Sequence, residues 1–262
     1  MKLKTLAAAG LFMMMTAAPA AAASCGNSGA GFDRWLGGFK KQAAASGIGR
    51  RALSALNGVT YSRQVIRLDR NQKSFRISQA AFIKGRVTSG RVNRAKKKLK
   101  QHARLFASIE KKYGVPKEII VAIWAMETDF GVNRGKMNVF RSLATLAYDC
   151  RRSAFFKNEL MSALKIVHRG WMSPNQMRGA WAGELGQTQF LASSYLNYAV
   201  DYNGDGRRDL VRTTADVLAS TANYLNRKGW RRGGGFKQAA LREWTKSSKY
   251  QVAIAVFADR VK

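Results

Sequence analysis

Acidic residues are scarce in this chain. Only 15 Asp and Glu stand against 46 Lys and Arg in 262 residues, a formal net charge of +31. The excess runs along the whole length, so no short basic block explains it. Such a surface adheres to polyanions: nucleic acid, anionic lipid or an acidic cell-envelope polymer. Cysteine is nearly absent. Cys25 and Cys150 allow one bridge at most and exclude a disulfide-dense scaffold. Histidine is as rare, and His102 has no metal-ligand spacing around it, which points to a surface role. There is no internal repeat, no long linker and no low-complexity tail. The 46% hydrophobic content is enough for one sizeable core, or one core with an appended lobe.

The longest apolar run near the start, Leu6 to Ala18, is too short for a strong membrane span. Lys2 and Lys4 precede it and Ala20 to Ala23 follow it, the pattern of a signal peptide over residues 1–23. An exported, periplasmic protein is expected. Export argues against nucleic acid as the partner and in favour of the cell wall. In an oxidising compartment Cys25 and Cys150 are expected to pair. Lipidation of Cys25, just after the signal, is the competing reading. It ranks second because Ala22-Ala23-Ser24-Cys25 lacks the usual Leu three residues before the cysteine.

The stretch Val115 to Gly131, VPKEIIVAIWAMETDFG, reads as a helix with Pro116 at its first position and Gly131 as its left-handed stop. Ile119, Ile120, Val121, Ile123, Trp124 and Met126 make it apolar almost all round, as in a core helix. Glu127 sits in that run. Ile120, Ile123 and Trp124 share its face, so its charged form is costly and its pKa should rise. A carboxylic acid kept protonated near neutral pH can give a proton to a leaving-group oxygen. A Glu at a helix end that tips into solvent or pairs with an Arg is the other reading, and the helix alone leaves both open.

Elsewhere the pattern is mostly helical. Helices are expected over Phe32 to Ala45, Ile48 to Leu56, Arg141 to Tyr148, Ser153 to His168 and Thr214 to Lys228. Asn93 is expected to cap one helix from Arg94 to Tyr113, Ser153 to cap the helix it opens, and Leu241 to Val261 to form a single last helix. Tyr61 to Arg91 is polar and basic with scattered Val65, Ile66, Leu68, Phe75, Ile77, Phe82 and Ile83, and reads as extended segments and loops. Ala180 to Phe190, with its small residues, two amides and Glu184, suits backbone that passes close to a ligand, or a tight turn between helices. Asp201-Tyr202-Asn203-Gly204-Asp205-Gly206 opens like an EF-hand loop, with oxygens at the first, third and fifth positions and Gly at the sixth. Arg207 offers a backbone carbonyl and Asp209 a ninth-position oxygen. The twelfth position is Arg212, not Glu, so the standard loop fails to close unless Asp216 closes a longer one. An Asp/Asn/Gly-rich turn without metal is the alternative.

Three of these stretches together resemble one family. Trp124-Ala-Met-Glu127-Thr-Asp-Phe-Gly131 resembles W-G-x-E-[ST]-x-[FY]-G. Ala182-Gly-Glu-Leu-Gly186 with Gln189-Phe190 and Ser193-Ser194-Tyr195 resembles A-G-x-x-G-x-x-Q-F-M-P-S-S-Y. Tyr198-Ala-Val-Asp201 through Asp205-Gly206 resembles Y-A-V-D-x-x-G-D-G. The family is the membrane-bound lytic murein transglycosylase B family, of the lysozyme-like superfamily. The resemblance runs in order from about Phe32 to Val261.

The resemblance implies a mainly α (α+β) fold: a lysozyme-like catalytic core with an additional helical lobe and at most a small β element, in one domain over 24–262. It implies that Glu127 is the general acid, then base, that cleaves the β-1,4 bond between N-acetylmuramic acid and N-acetylglucosamine and leaves a 1,6-anhydro sugar. It implies substrate contacts at Gln189, Ser193, Tyr195, Thr245 and Tyr250. Thr245 stands where the family has an Asn, which puts efficiency in doubt more than reaction type. Glu184 is either a substrate contact or a buried partner of an Arg, and the structural role is favoured. A structural Ca²⁺ is implied at Asp201, Asn203, Asp205 and Arg207, with Asp216 as a possible last ligand. The expected partner is peptidoglycan, held on an anionic envelope surface by charge. No nucleic acid is expected, and the chain is expected to be a monomer. A hydrolytic muramidase on the same fold and a non-catalytic wall-binding protein remain as alternatives.

Overall fold

The computed structural model describes residues 25–71, 77–236 and 238–262. The expected signal peptide and Phe75 lie outside them. In chain order the helices are α1 (Phe32–Ala45), α2 (Arg50–Leu53), α3 (Arg63–Arg70), α4 (Gln79–Arg86), α5 (Ser89–Gln101), α6 (Ala103–Tyr113), α7 (Lys117–Thr128), α8 (Val139–Tyr148), α9 (Ser153–His168), α10 (Ala192–Tyr198), α11 (Thr214–Arg227), α12 (Ala239–Trp244) and α13 (Ser248–Val261). Two short strands, β1 (Met137–Asn138) and β2 (Arg178–Gly179), pair antiparallel, with Met137 opposite Gly179. This is the mainly α, lysozyme-like architecture with a minimal β element.

α7 is the axis of the molecule. Its residues Ile119 through Met126 are all buried, and α5, α6, α11 and α13 pack around it. Each fully buried Ile or Trp there is worth about 1.5–3 kcal/mol of apolar transfer, so the helix has no free face. The apolar cluster continues outward to Phe32 and Trp35 of α1, Phe140 of α8 and Phe257 of α13. Cys25 and Cys150 form a disulfide with Cα atoms 4.9 Å apart, and the Gly26 N–H donates to the Tyr148 carbonyl beside it.

Three stretches fold differently from their sequence pattern. The described residues of the 61–91 stretch fold mainly into α3, α4 and the start of α5, not into extended segments. Ser62, Ser78 and Thr88 each cap a helix by accepting the N–H of Val65, Ala81 and Arg91. These helices bury few apolar residues and dock partly by charge. Asp69 is buried among Arg70, Arg151 and Arg152, and Arg70 also forks onto Asp149 at 2.9 and 2.8 Å. An apolar period is therefore weak there although the helices are real. The expected helix 94–113 starts earlier, at Ser89, and breaks at His102 into α5 and α6. The last helix breaks at Thr245 to Ser247, where the Ser247 side chain accepts the Tyr250 N–H and starts α13. At α9 Ser153 is not the cap; its hydroxyl donates to the Ala147 carbonyl at 2.6 Å.

Candidate active site

Glu127 lies in the last turn of α7. The helix ends two residues later than its apolar run and earlier than Gly131: Asp129 is left-handed at φ 53°, and Phe130 and Gly131 follow at 62° and 87°. Left-handed Asp is tolerable and left-handed Phe is strained, so this turn needs outside support. Arg94 supplies it, gripping Asp129 at 2.7 and 2.9 Å, with Arg91 at 3.3 Å. Burial pushes the Asp129 carboxyl up, but these guanidiniums hold it below the usual carboxylate range. Arg86 also donates to the Met126 carbonyl at 3.3 Å. On the other side Gly131 donates to the Thr128 hydroxyl at 2.8 Å, and that hydroxyl donates to the Gln187 carbonyl. The Gln187 side chain accepts from the Trp124 indole at 2.8 Å and donates to the Val211 carbonyl at 2.9 Å. Gln187 thus ties the end of α7 to the loop after residue 201, a role that its place in a small-residue segment did not reveal.

The break between α12 and α13 completes the site. It lets Trp244 donate to Glu127 Oε1 at 3.1 Å, while Tyr250, one turn into the next helix, turns its buried hydroxyl toward the same carboxyl. That hydroxyl has no hydrogen-bond partner of good geometry, so it acts on Glu127 as a nearby dipole and not as a closed bond. Burial pushes the Glu127 carboxyl up to about 7; Trp244 and Tyr250 pull it down, Glu184 adds to the rise and Arg86 opposes it. Tyr250 in turn is raised well above its ordinary value by burial and by Glu127, so it stays a neutral hydroxyl. Glu127 opens into a cavity of about 100 Å³ walled by Gln189, Phe190, Ser194, Tyr224, Glu243 and Trp244. The Glu243 carboxyl lies in that wall too, but Lys246 at 2.9 Å and Lys228 at 3.5 Å hold it below the usual range. One carboxyl of the cavity is thus poised to carry a proton near neutral pH and the other stays ionised.

The expected contacts divide. Gln189 is in the cavity wall, left-handed at φ 51°, its amide donating to the Gly186 and Arg134 carbonyls at 2.9 and 3.2 Å. Ser193 is not: its N–H and hydroxyl both bind the buried Glu159 carboxylate, at 2.9 and 2.6 Å. Ser194 takes its place in the wall, since one residue along a helix turns the side chain by about 100°. Tyr195 is fully buried and donates to the Arg208 carbonyl, so it is a core residue. Thr245 ends α12, and its hydroxyl accepts the Ser247 N–H at 3.2 Å outside the cavity wall. Among the described residues Glu184 has no Arg partner; Arg152, the cation acting on it, is paired with Asp69 at 2.6 Å, and Glu184 Oε2 is buried without a hydrogen bond. Burial pushes that carboxyl up, against its own and the Ala182 backbone N–H groups.

The cation loop is folded around Asp201, which accepts the N–H groups of Gly204, Asp205 and Gly206 at 2.7–3.1 Å. Asn203 donates to Asp205 at 3.0 Å, and Arg207 N–H binds Asp205 at 2.9 Å. Asp216 is buried and accepts from the N–H groups of Tyr202 and Asp209, holding both ends of the loop. The donor set is all oxygen and fits a hard cation at the opening half. At the closing half, Asp216 already spends one lone pair of each oxygen on backbone, and no three acidic side chains converge as a metal-binding group among the described residues.

A helical, lysozyme-like fold with a single protonatable carboxyl at the floor of its cleft defines the class. The transglycosylase SLT domain family matches residues 31–253, and the chain belongs to it. The membrane-bound lytic murein transglycosylase B of Escherichia coli strain K12 is 41% identical over 122 residues, 46% of this chain. The match spans about a third, 34%, of that relative's length. Among solved structures, SltB3 from Pseudomonas aeruginosa in complex with NAG-anhNAM-pentapeptide superposes with a TM-score of 0.83 at 31% identity, over 88% of this chain and 79% of that one. Slt35 of Escherichia coli in complex with calcium reaches 0.76 at 24% identity, over 91% and 96%, a likeness of fold.

Proposed function

We propose that this protein is a lytic transglycosylase of peptidoglycan. It cleaves the β-1,4 bond between N-acetylmuramic acid and N-acetylglucosamine without consuming water. The observation that carries the reading is the Glu127 carboxyl, raised to about 7 at the floor of a cleft. Protonated Glu127 gives its proton to the leaving oxygen as the bond to C1 breaks. The resulting carboxylate takes the proton of the muramyl C6 hydroxyl, whose oxygen attacks C1 and closes the 1,6-anhydro ring. Glu127 ends protonated, ready for the next bond. Trp244 and Tyr250 stabilise the carboxylate between the two transfers, when its charge is greatest. Gln189 and Ser194 offer polar contacts to the sugar.

The test is a digest of purified sacculi with the wild type and with Glu127→Gln, read by mass spectrometry. Anhydro-muropeptides from the wild type alone are expected. Reducing muramic ends would instead favour a hydrolytic muramidase, the reading that the second carboxyl in the cavity wall, Glu243, supports.

The same proposal extends to the setting. The protein acts as a monomer in the periplasm after export, and its strong basic excess, +31 over the full sequence and only slightly less without Lys2 and Lys4, holds it on the anionic wall. Ca²⁺ is held by Asp201, Asn203, Asp205 and the Arg207 carbonyl, with Asp216 behind them, and it braces the loop that Gln187 ties to α7. Millimolar Ca²⁺ is expected to raise the Tm relative to chelator, by mass action on the folded state. Asp201→Ala should abolish that rise, and an unchanged Tm in the wild type would remove the ion from the proposal.

A further inference from the structure

Gln187 lies outside the cavity wall, yet the cleft is assembled on it. It is buried, and its backbone N–H, its backbone carbonyl and both heteroatoms of its side-chain amide are all bonded. Two of those bonds reach α7. The side-chain oxygen accepts the Trp124 indole N–H at 2.8 Å, and the backbone carbonyl accepts the Thr128 hydroxyl. Trp124 stands three residues before Glu127 on the same face, and Thr128 follows Glu127 directly. Glu127 is therefore bracketed by the two points at which Gln187 grips the helix. The other two bonds reach the end of the loop after residue 201. The Gln187 N–H donates to the Leu210 carbonyl at 2.8 Å and its amide to the Val211 carbonyl at 2.9 Å. Among the described residues, the hydrogen bonds between α7 and residues 183–190 all run through Gln187. The same amide packs against the turn that follows α7: a Cβ on Gly131 would stand 2.6 Å from Gln187 Oε1.

The chain that leaves Gln187 becomes the cavity wall. Gln189 and Phe190 follow it, and the Phe190 ring meets Trp244, the donor to Glu127, edge-on at 5.5 Å. A shift of Gln187 therefore moves the wall against the floor. The carboxamide offers an acceptor to Trp124 and a donor to Val211 from one fork, which neither a carboxylate nor an apolar side chain does. A buried network of this kind holds one geometry, because any bond it gives up leaves a polar group unpaired. We infer that Gln187 is a positioning residue for the reaction: it sets how deep Glu127 lies beneath the wall of the cleft, and so how far that carboxyl is shielded from water. The inference rests on the reading of Glu127 as the acid and base.

The experiment compares three substitutions. Gln187→Leu removes both side-chain bonds, and Trp124→Phe removes only the side-chain bond to α7. Thr221→Val is the stability control: it removes a buried hydrogen bond from α11 to Thr188, the next residue along the segment. Glu127 is titrated by carbon-13 NMR of its side-chain carboxyl. Steady-state kinetics use a soluble synthetic tetrasaccharide of alternating N-acetylglucosamine and N-acetylmuramic acid. With Gln187→Leu the Glu127 titration should fall from about 7 toward its ordinary value as water reaches the carboxyl. The kcat should drop about 10- to 100-fold with KM little changed. Trp124→Phe should move both readings the same way by less. Thr221→Val should lower the Tm and leave both in place. A folded Gln187→Leu protein with unmoved titration and kcat would overturn the inference, and so would an equal change in Thr221→Val. If Gln187→Leu does not fold, Trp124→Phe decides by the same two readings. The titration needs no substrate, so it is separate from the sacculus digest. A wild type that releases no anhydro product, while its Glu127 titration still moves on substitution of Gln187, would defeat the catalytic reading and leave the placement of Glu127 by Gln187 standing.

Discussion

Glu127 is costly to the fold in the form that water prefers. Its folded value of about 7 lies above the ordinary 4.5, so between those pH values the native state keeps a proton that the unfolded chain has released. Stability from this group is therefore lost as pH rises from about 4.5 to 7, and the loss is complete above that. Glu127→Gln removes the cost. Thermal melts should show the variant more stable at pH 8 by about 1–3 kcal/mol and no more stable than wild type at pH 4. The same variant should show no turnover. Trp244 acts in the opposite direction: its N–H favours the carboxylate. Trp244→Phe should raise the Glu127 value further, moving the basic limb of the kcat/KM profile to higher pH. It should also lower kcat about tenfold, because the charged intermediate loses its donor. An unmoved basic limb would show that another group sets it.

At the scale of elements, the site is made by how helices end. α7 stops in three successive left-handed residues held by Arg91 and Arg94, and α12 stops so that Trp244 and Tyr250 reach the same carboxyl from two helices. The antiparallel pairing of β1 with β2, which lie on either side of α8 and α9 in the chain, is equally tight. Gly135 has φ 83°, and a Cβ there would stand 2.2 Å from the Gly179 carbonyl oxygen. Backbone cannot yield as a flexible side chain can. Gly135→Ala should cost at least about 2 kcal/mol in urea unfolding, from the disfavoured φ and the clash together. Gly170→Ala, at φ 72° with open space around its Cβ, should cost less, since it meets only the dihedral penalty.

Over the whole molecule, two devices bind the basic chain together. Buried ion clusters neutralise part of the positive charge from within, as at Asp69, where burial pushes the carboxyl up but Arg151 and Arg152 hold it below the usual range. The Cys25–Cys150 bridge closes a loop of sequence separation 125 and pins the segment before α1 to the end of α8. Replacing both cysteines by serine should lower stability by about 2–5 kcal/mol, read from denaturant melts with and without reductant. Equal melts would mean that the contacts of Gly26 and Tyr148 suffice without the bridge.

What the sequence determined by itself was carried by local and contiguous signals. The apolar run around Glu127, the segment that holds Gln189, the loop from Asp201 and the limits of α1 and α9 could all be read from neighbours in the chain. The helical class followed from the same periodicity, because burial along a helix repeats within a few residues. The helices α3 and α4 leave little apolar period in the sequence because they dock through Arg and Asp as well as an apolar stripe, although Ser62 and Ser78 are cap signals. The tertiary structure alone decided which side chains meet. It gave Ser193 to Glu159, Tyr195 to the core and Ser194 to the cleft, and it joined Trp244 to a carboxyl 117 residues away. Such pairings depend on how helices break and cross. One residue of rotation exchanges a wall position for a buried one, and no spacing along the chain records that choice.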